Sequence, residues 1–163
     1  PLPEAQIDRF MFKVLVTYPT QEEELEILKR MGKINSNFEL QPVVKTEQIL
    51  SARNIVDQIY ISENIQEYIV SLVFATREPS KYSLNDLESF ISFGASPRAT
   101  IFLSTAAKSL AFLKKRAFVI PEDVRTVGKA ILRHRIILTY EAEAEEITTE
   151  DIIQRIYESV LTP

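Results

Sequence analysis

Apolar residues recur every three or four positions through most of the chain, in runs separated by polar or proline-bearing breaks, so the pattern is a series of amphipathic helices. Pro3 to Arg9 suits a short helix, with proline early, where its missing N–H costs nothing, and Glu4 at the positive end of the dipole. Phe10 to Tyr18 breaks the period: it is β-branched, aromatic, almost continuously apolar and stopped by Pro19, which predicts a strand buried on both faces. No other segment supplies a sheet for it, so its neighbours are expected to lie outside the chain.

From Thr20 the helical spacing returns, with Thr20 as N-cap, Glu23 as its capping-box partner, and Leu25, Leu28 and Met31 on one face up to Gly32. Asn35 to Val43 has loop composition, and Lys45 to Gln58 predicts a helix capped by Thr46 and carrying Ile49, Leu50, Ile55 and Val56. After a brief extended stretch, Ile59-Tyr60-Ile61, Ser62 caps a helix with Ile65, Tyr68, Ile69, Leu72 and Val73, ending near Arg77 ahead of Pro79. Glu78 to Ala95 is expected to be mostly loop, with a weak helical hint over Leu84 to Phe93. Ser96-Pro97 opens the longest helix, expected to reach about Ala117 with Phe102, Leu103, Ala106, Leu110 and Leu113 facing inward. Val119-Ile120 links it to a helix that starts at Pro121-Glu122-Asp123 and carries Val124, Val127, Ile131 and Leu132. Ile136 to Leu138 is extended, and Thr148 or Thr149 caps a last helix bearing Ile152, Ile153, Ile156, Tyr157 and Val160. The expected fold is mainly α: a helical bundle preceded by a short helix and one strand.

Composition removes several chemistries from this picture. With 163 residues, 45% hydrophobic and 26% charged, the chain is globular. It has no cysteine and a single histidine, His134, which excludes disulfides, thiolate metal sites and a histidine metal cluster. Its three glycines, Gly32, Gly94 and Gly128, are not spaced as GxGxxG or GxxxxGK[ST], so no phosphate cradle is present in these residues. A net charge of −4 argues against a nucleic-acid footprint and against a helix-turn-helix reading of Ala117 to Arg135. The start, Pro1-Leu2-Pro3, and the partnerless strand suggest a piece of a longer protein.

Few side chains stand out as candidate chemistry. The acidic runs Glu22-Glu23-Glu24 and Glu143, Glu145, Glu146 have no ligand partner nearby and read as solvated surface. His134 lies between Arg133 and Arg135 at a helix C-terminus, where a cation suits the dipole. Arg98 is different: it falls in the first turn of a helix, where a cation opposes the dipole. A phosphate there would satisfy both the free N–H groups and the guanidinium, although an acidic neighbour would serve the arginine too. Arg9 ends the first helix at the edge of the expected strand, placed either to complement that helix end or to project from a rigid platform.

Leu2-Pro3-Glu4-Ala5-Gln6-Ile7-Asp8-Arg9-Phe10, Tyr18-Pro19, Ala75-Thr76-Arg77, Gly94-Ala95-Ser96-Pro97-Arg98-Ala99, Pro121-Glu122-Asp123-Val124 and Arg133-His134-Arg135-Ile136 follow in the order and approximate spacing of the MoxR family of AAA+ ATPases, which the chain resembles over its whole length. The resemblance implies residues 1–19 as the C-terminal remnant of the nucleotide-binding core and residues 20–163 as the helical lid, with the Walker A, Walker B and sensor 1 motifs upstream. It implies Arg9 as an arginine finger acting on a neighbouring subunit's site, Arg98 as the sensor 2 arginine, and Tyr18 and Pro19 against the adenine. ATP and Mg²⁺ are implied for the longer parent and neither for these residues alone. Neighbouring subunits of a ring, hexameric in the family's usual form, client proteins or von Willebrand A domain proteins, and a cytoplasmic chaperone-like role are implied with them. Arg77 and Arg133-His134-Arg135 match without an implied mechanism and are expected to serve lid packing or subunit contacts, and Ile120 stands where a capping residue is usual, a loss of about 1 kcal/mol. The competing expectation is a stand-alone helical adaptor with no nucleotide role.

Overall fold

A computed structural model describes residues 3–32 and 40–163. The chain forms two units, Pro1–Lys13 with Arg53–Pro163, and Val14–Ala52. The loop expected over Asn35 to Val43 lies outside the described residues up to position 39.

The larger unit is a helical bundle. It contains α1 (Glu4–Ile7), the end of α3 (Thr46–Gln58), α4 (Glu63–Ala75), α5 (Pro97–Leu113), α6 (Pro121–Leu132), α7 (Tyr140–Ala144) and α8 (Thr149–Ser159). Helix α5 packs on α4 and α6, and α8 packs on α4 and α6. Leu72, Leu103, Val124, Ile131, Ile152 and Ile156 are fully buried between them, each side chain contributing about 1.5–3 kcal/mol on removal from water. The expected side-chain caps form at Ser62, Ser96 and Thr148, whose oxygens accept from Ile65 N–H, Arg98 N–H and Asp151 N–H.

The segment from Glu78 to Ala95 is more ordered than its polarity suggests. Two short 3-10 turns, Pro79–Tyr82 and Asn85–Leu87, lead into β1 (Ile91–Phe93), which pairs antiparallel with β2 (Ile137–Leu138). Tyr60 and Phe118 form a single parallel bridge, with Tyr60 N–H donating to Ala117 O at 2.9 Å and Val119 N–H to Tyr60 O at 2.9 Å.

Three expectations are corrected. Phe10 to Tyr18 makes no ladder among the described residues, and its apolar side chains other than the half-buried Met11 are exposed, Val16 at 91%. A strand needs a regular series of partner N–H and C=O groups, and residues 10–13 instead have scattered bonds: Phe10 N–H to Ile7 O at 3.0 Å, Lys13 N–H to Ala130 O at 2.8 Å, and side-chain donors on the carbonyls of Phe10 and Met11. Helix α5 stops at Leu113, a turn early, because Lys115 adopts φ 58° while Lys115 N–H and Arg116 N–H return to Phe112 O and Ala111 O, a Schellman end. Leu113 is therefore 74% exposed rather than in the inward stripe. Thr46 is the first residue of α3 rather than its cap, and Lys45 N–H donates instead to the Gln48 side chain at 2.8 Å.

Within Val14–Ala52, α2 (Gln21–Met31) starts on the expected capping box, with Thr20 N–H to Glu23 Oε2 at 2.8 Å and Glu23 N–H to Thr20 Oγ1 at 3.3 Å. None of its residues is buried. No helix of the described residues is long and apolar enough to cross a membrane.

Candidate functional site

The turn that delivers Arg98 is fixed by the end of α4. A Cβ at Gly94 would lie 2.3 Å from Thr76 O, so only glycine lets the backbone pass this close. Thr76, fully buried, donates through Oγ1 to Val73 O at 2.6 Å and accepts Ala95 N–H at 2.9 Å. Arg77 Nε donates to Ala95 O at 2.6 Å while its guanidinium lies 5.1 Å from the Phe74 ring centroid. Both polar backbone groups of Ala95 are thereby held, which sets Ser96 as the cap and Pro97 as the first residue of α5. Thr76 and Arg77 thus have a structural task that their sequence alone did not reveal.

Asp8 converges on the same place from the N-terminal side. Its carboxylate accepts from Ser96 Oγ at 3.0 and 2.9 Å, from Arg98 Nη1 at 3.0 Å and from Arg135 Nε at 3.0 Å. Burial raises the Asp8 pKa, but hydrogen bonds from Arg98 and Ser96 and the charges of Arg135 and Arg98 outweigh it, holding the carboxyl below its ordinary value. The Arg135 side chain is fully buried and lies over Phe102 at 5.0 Å. It also donates to Asp8 O at 2.9 Å, Phe10 O at 2.6 Å and Met11 O at 3.3 Å, and to Ile131 O. One guanidinium therefore pins the backbone on both sides of Arg9.

The arginines expected to act chemically differ in their surroundings. The Arg98 side chain is half exposed, and the anion against it here is the Asp8 carboxylate, the acidic-neighbour alternative that its position leaves open. That pairing also shows that an oxyanion fits the first turn of α5. Arg9, one residue on, is exposed and forms no salt bridge among the described residues. Tyr18 and Pro19 fall in the smaller unit, where Tyr18 is 95% exposed and Pro19 lines an open groove with Leu25, Leu28 and Met31.

The Arg133-His134-Arg135 run separates into three roles. Arg133 pairs with Glu150 at 2.8 Å, tying the end of α6 to α8. His134 Nε2 lies 3.0 Å from Phe10 O and so carries the proton donated there, leaving a buried Nδ1 without a partner among the described residues. Burial lowers the His134 pKa, and the hydrogen bond of its ring among the described residues goes to Phe10 O rather than to the carbonyls of its own helix end. Arg135 is the Asp8 anchor.

A fully buried carboxylate was also missed. Asp123 is fully buried, bonded by Arg116 Nη1 and Nη2 at 2.7 Å each and by Lys114 Nζ at 3.2 Å. It accepts Ile120 N–H at 3.1 Å as well, so the helix start that lacks a capping side chain at Ile120 is still half served from its third residue.

Residues 86–156 match the AAA lid domain family. Over its whole length the chain is 44% identical to chaperone MoxR1 of Mycobacterium tuberculosis and 37% identical to the protein YeaC of Bacillus subtilis, covering 43% and 48% of those proteins. It spans less than half the length of these curated relatives. A crystal structure from Cytophaga hutchinsonii, described as that of a candidate ATPase, superposes on all of this chain and 49% of its own, with a TM-score of 0.96 and 47% identity.

Proposed function

We infer that this chain, which corresponds to the C-terminal part of MoxR-family AAA+ ATPases, is the lid-bearing portion of a motor that couples ATP binding and hydrolysis to chaperone-like remodelling or maturation of partner proteins. One observation carries the reading: Arg98 presents a half-exposed guanidinium from the first turn of α5, on a turn moored by Gly94, Thr76 and Arg77, and already holds an oxyanion.

In the longer protein, Arg98 binds the phosphates of ATP in its own subunit, so the position of the lid depends on what that site contains. MgATP is the substrate, and the phosphate cradle, metal ligands and water-positioning acid come from outside these 163 residues, which carry no GxxxxGK[ST] motif. Arg9, exposed beside a rigidly held turn, reaches the neighbouring subunit's site in a ring, of six subunits in this reading, and stabilises charge as water attacks the γ-phosphate. Tyr18 and Pro19 pack against the adenine. Client proteins or partners with von Willebrand A domains receive the work, in the cytoplasm.

The test uses the longer protein that carries the phosphate cradle. Arg9→Ala is expected to lower ATP turnover about a hundredfold or more. Mixing it with subunits whose cradle lysine is removed is expected to restore activity, because an intact finger then faces an intact cradle. No recovery in mixed assemblies would contradict action across the interface.

A further inference from the structure

We propose that Asp8 is a positioning residue that competes with the nucleotide for Arg98, and thereby links phosphate occupancy in a subunit's own site to the turn carrying Arg9. The proposal rests on the reading of Arg98 as a phosphate-binding residue.

The three donors to Asp8 are not equally free to leave. Arg135 has a fully buried side chain and further bonds to the backbone carbonyls of residues 8, 10 and 11. Ser96 is the cap of α5 and its hydroxyl is already tied to Arg98 N–H. The Arg98 side chain, at 51% exposure against 18% for Asp8, is long, rotamer-rich and attached by a single 3.0 Å contact. Of the three, Arg98 is the one that can swing away without exposing a buried charge.

A half-exposed ion pair is weak, because water screens it and ordering two side chains offsets much of the attraction. A phosphate offers the planar guanidinium a charge-assisted, bidentate partner, so it wins the exchange. When Arg98 leaves, Asp8 keeps Ser96 and Arg135 and loses one of its three donors. The residue released from that restraint is bonded directly to Arg9 in the chain. A subunit that has bound nucleotide therefore presents its finger from a turn held differently from that of an empty one.

The experiment measures the affinity of a non-hydrolysable ATP analogue for the longer protein as wild type, Asp8→Asn, Arg98→Ala and the double variant. Asn retains an oxygen for Ser96 and Arg135 but removes the competing charge. The expected result is about three- to fivefold tighter binding in Asp8→Asn, and no such gain in the Arg98→Ala background. If Arg98→Ala weakens binding and Asp8→Asn fails to tighten it, the competition is refuted while the phosphate-binding reading stands. If Arg98→Ala leaves affinity unchanged, both fall. Should Asp8→Asn not fold, structures of the wild-type longer protein with and without the analogue decide: the Asp8–Arg98 pair is expected to open on binding, and its persistence beside bound nucleotide overturns the proposal.

Discussion

Helices α2 and α4 each begin under a hydroxyl cap, Thr20 and Ser62, and each carries an apolar stripe, yet α4 buries six side chains and α2 buries none. Leu72 in α4 is fully enclosed, whereas Leu28 in α2 is 66% exposed. Local signals thus specify a helix equally well in both cases, while enclosure of its apolar face depends on segments far away in sequence. The same contrast separates the two extended stretches. Ile137 and Leu138 find β1, while Phe10 to Tyr18, more strand-like in composition, finds no ladder among the described residues.

Substitutions in the two regions sharpen this contrast. Leu72→Ala is expected to cost about 3–4 kcal/mol in denaturant unfolding of the chain, because it leaves a cavity at the centre of the bundle. Asp123→Ala follows at roughly 3 kcal/mol, since Arg116 and Lys114 lose a shared buried carboxylate. Gly94→Ala is expected to cost about 1–3 kcal/mol by pushing the turn off Thr76 O, read in the same unfolding curves. In the smaller unit, Thr20→Ala should remove about 1 kcal/mol of local helix stability, visible as lost helical circular dichroism. Leu28→Ala should shift the unfolding curve by no more than about 0.5 kcal/mol. A Leu28→Ala cost equal to that of Leu72→Ala would break the comparison.

Acid should act mainly through the larger unit. Burial raises the Asp123 pKa, but the hydrogen bonds from Arg116, Ile120 N–H and Lys114 outweigh it, and Asp8 behaves likewise, so both carboxyls titrate below their ordinary value. Their contribution is fully present above about pH 4 and is lost as pH falls through the depressed folded-state values. Urea midpoints followed from pH 6 to pH 2 should fall less steeply in Asp123→Asn than in wild type.

The capped helices were legible because their signals are local: Thr20 with Glu23, Ser62 before Ile65, Ser96-Pro97, and Thr148 with Asp151 each act within one turn. Arg98 was also legible, since a cation in a helix's first turn is unusual wherever it occurs. Its partner was not. Asp8 lies 90 residues from Arg98 and 127 from Arg135, and no periodicity spans such a gap. Arg77, without a mechanism in the sequence, gained one only when Ala95 came beside it. The early end of α5 depends on Lys115 at a positive φ, a conformation that its side chain does not advertise. The MoxR resemblance brought these arginines together by name, and the structure supplies the physical reason that Asp8, Ser96 and Arg135 stand beside them.

The most direct test is the affinity of a non-hydrolysable ATP analogue for the longer protein, measured calorimetrically for wild type and Arg98→Ala. Loss of a charge-assisted phosphate contact predicts binding weaker by about tenfold to a hundredfold. Equal affinities in a folded variant would contradict the assignment of Arg98, and with it the proposal that this lid senses nucleotide.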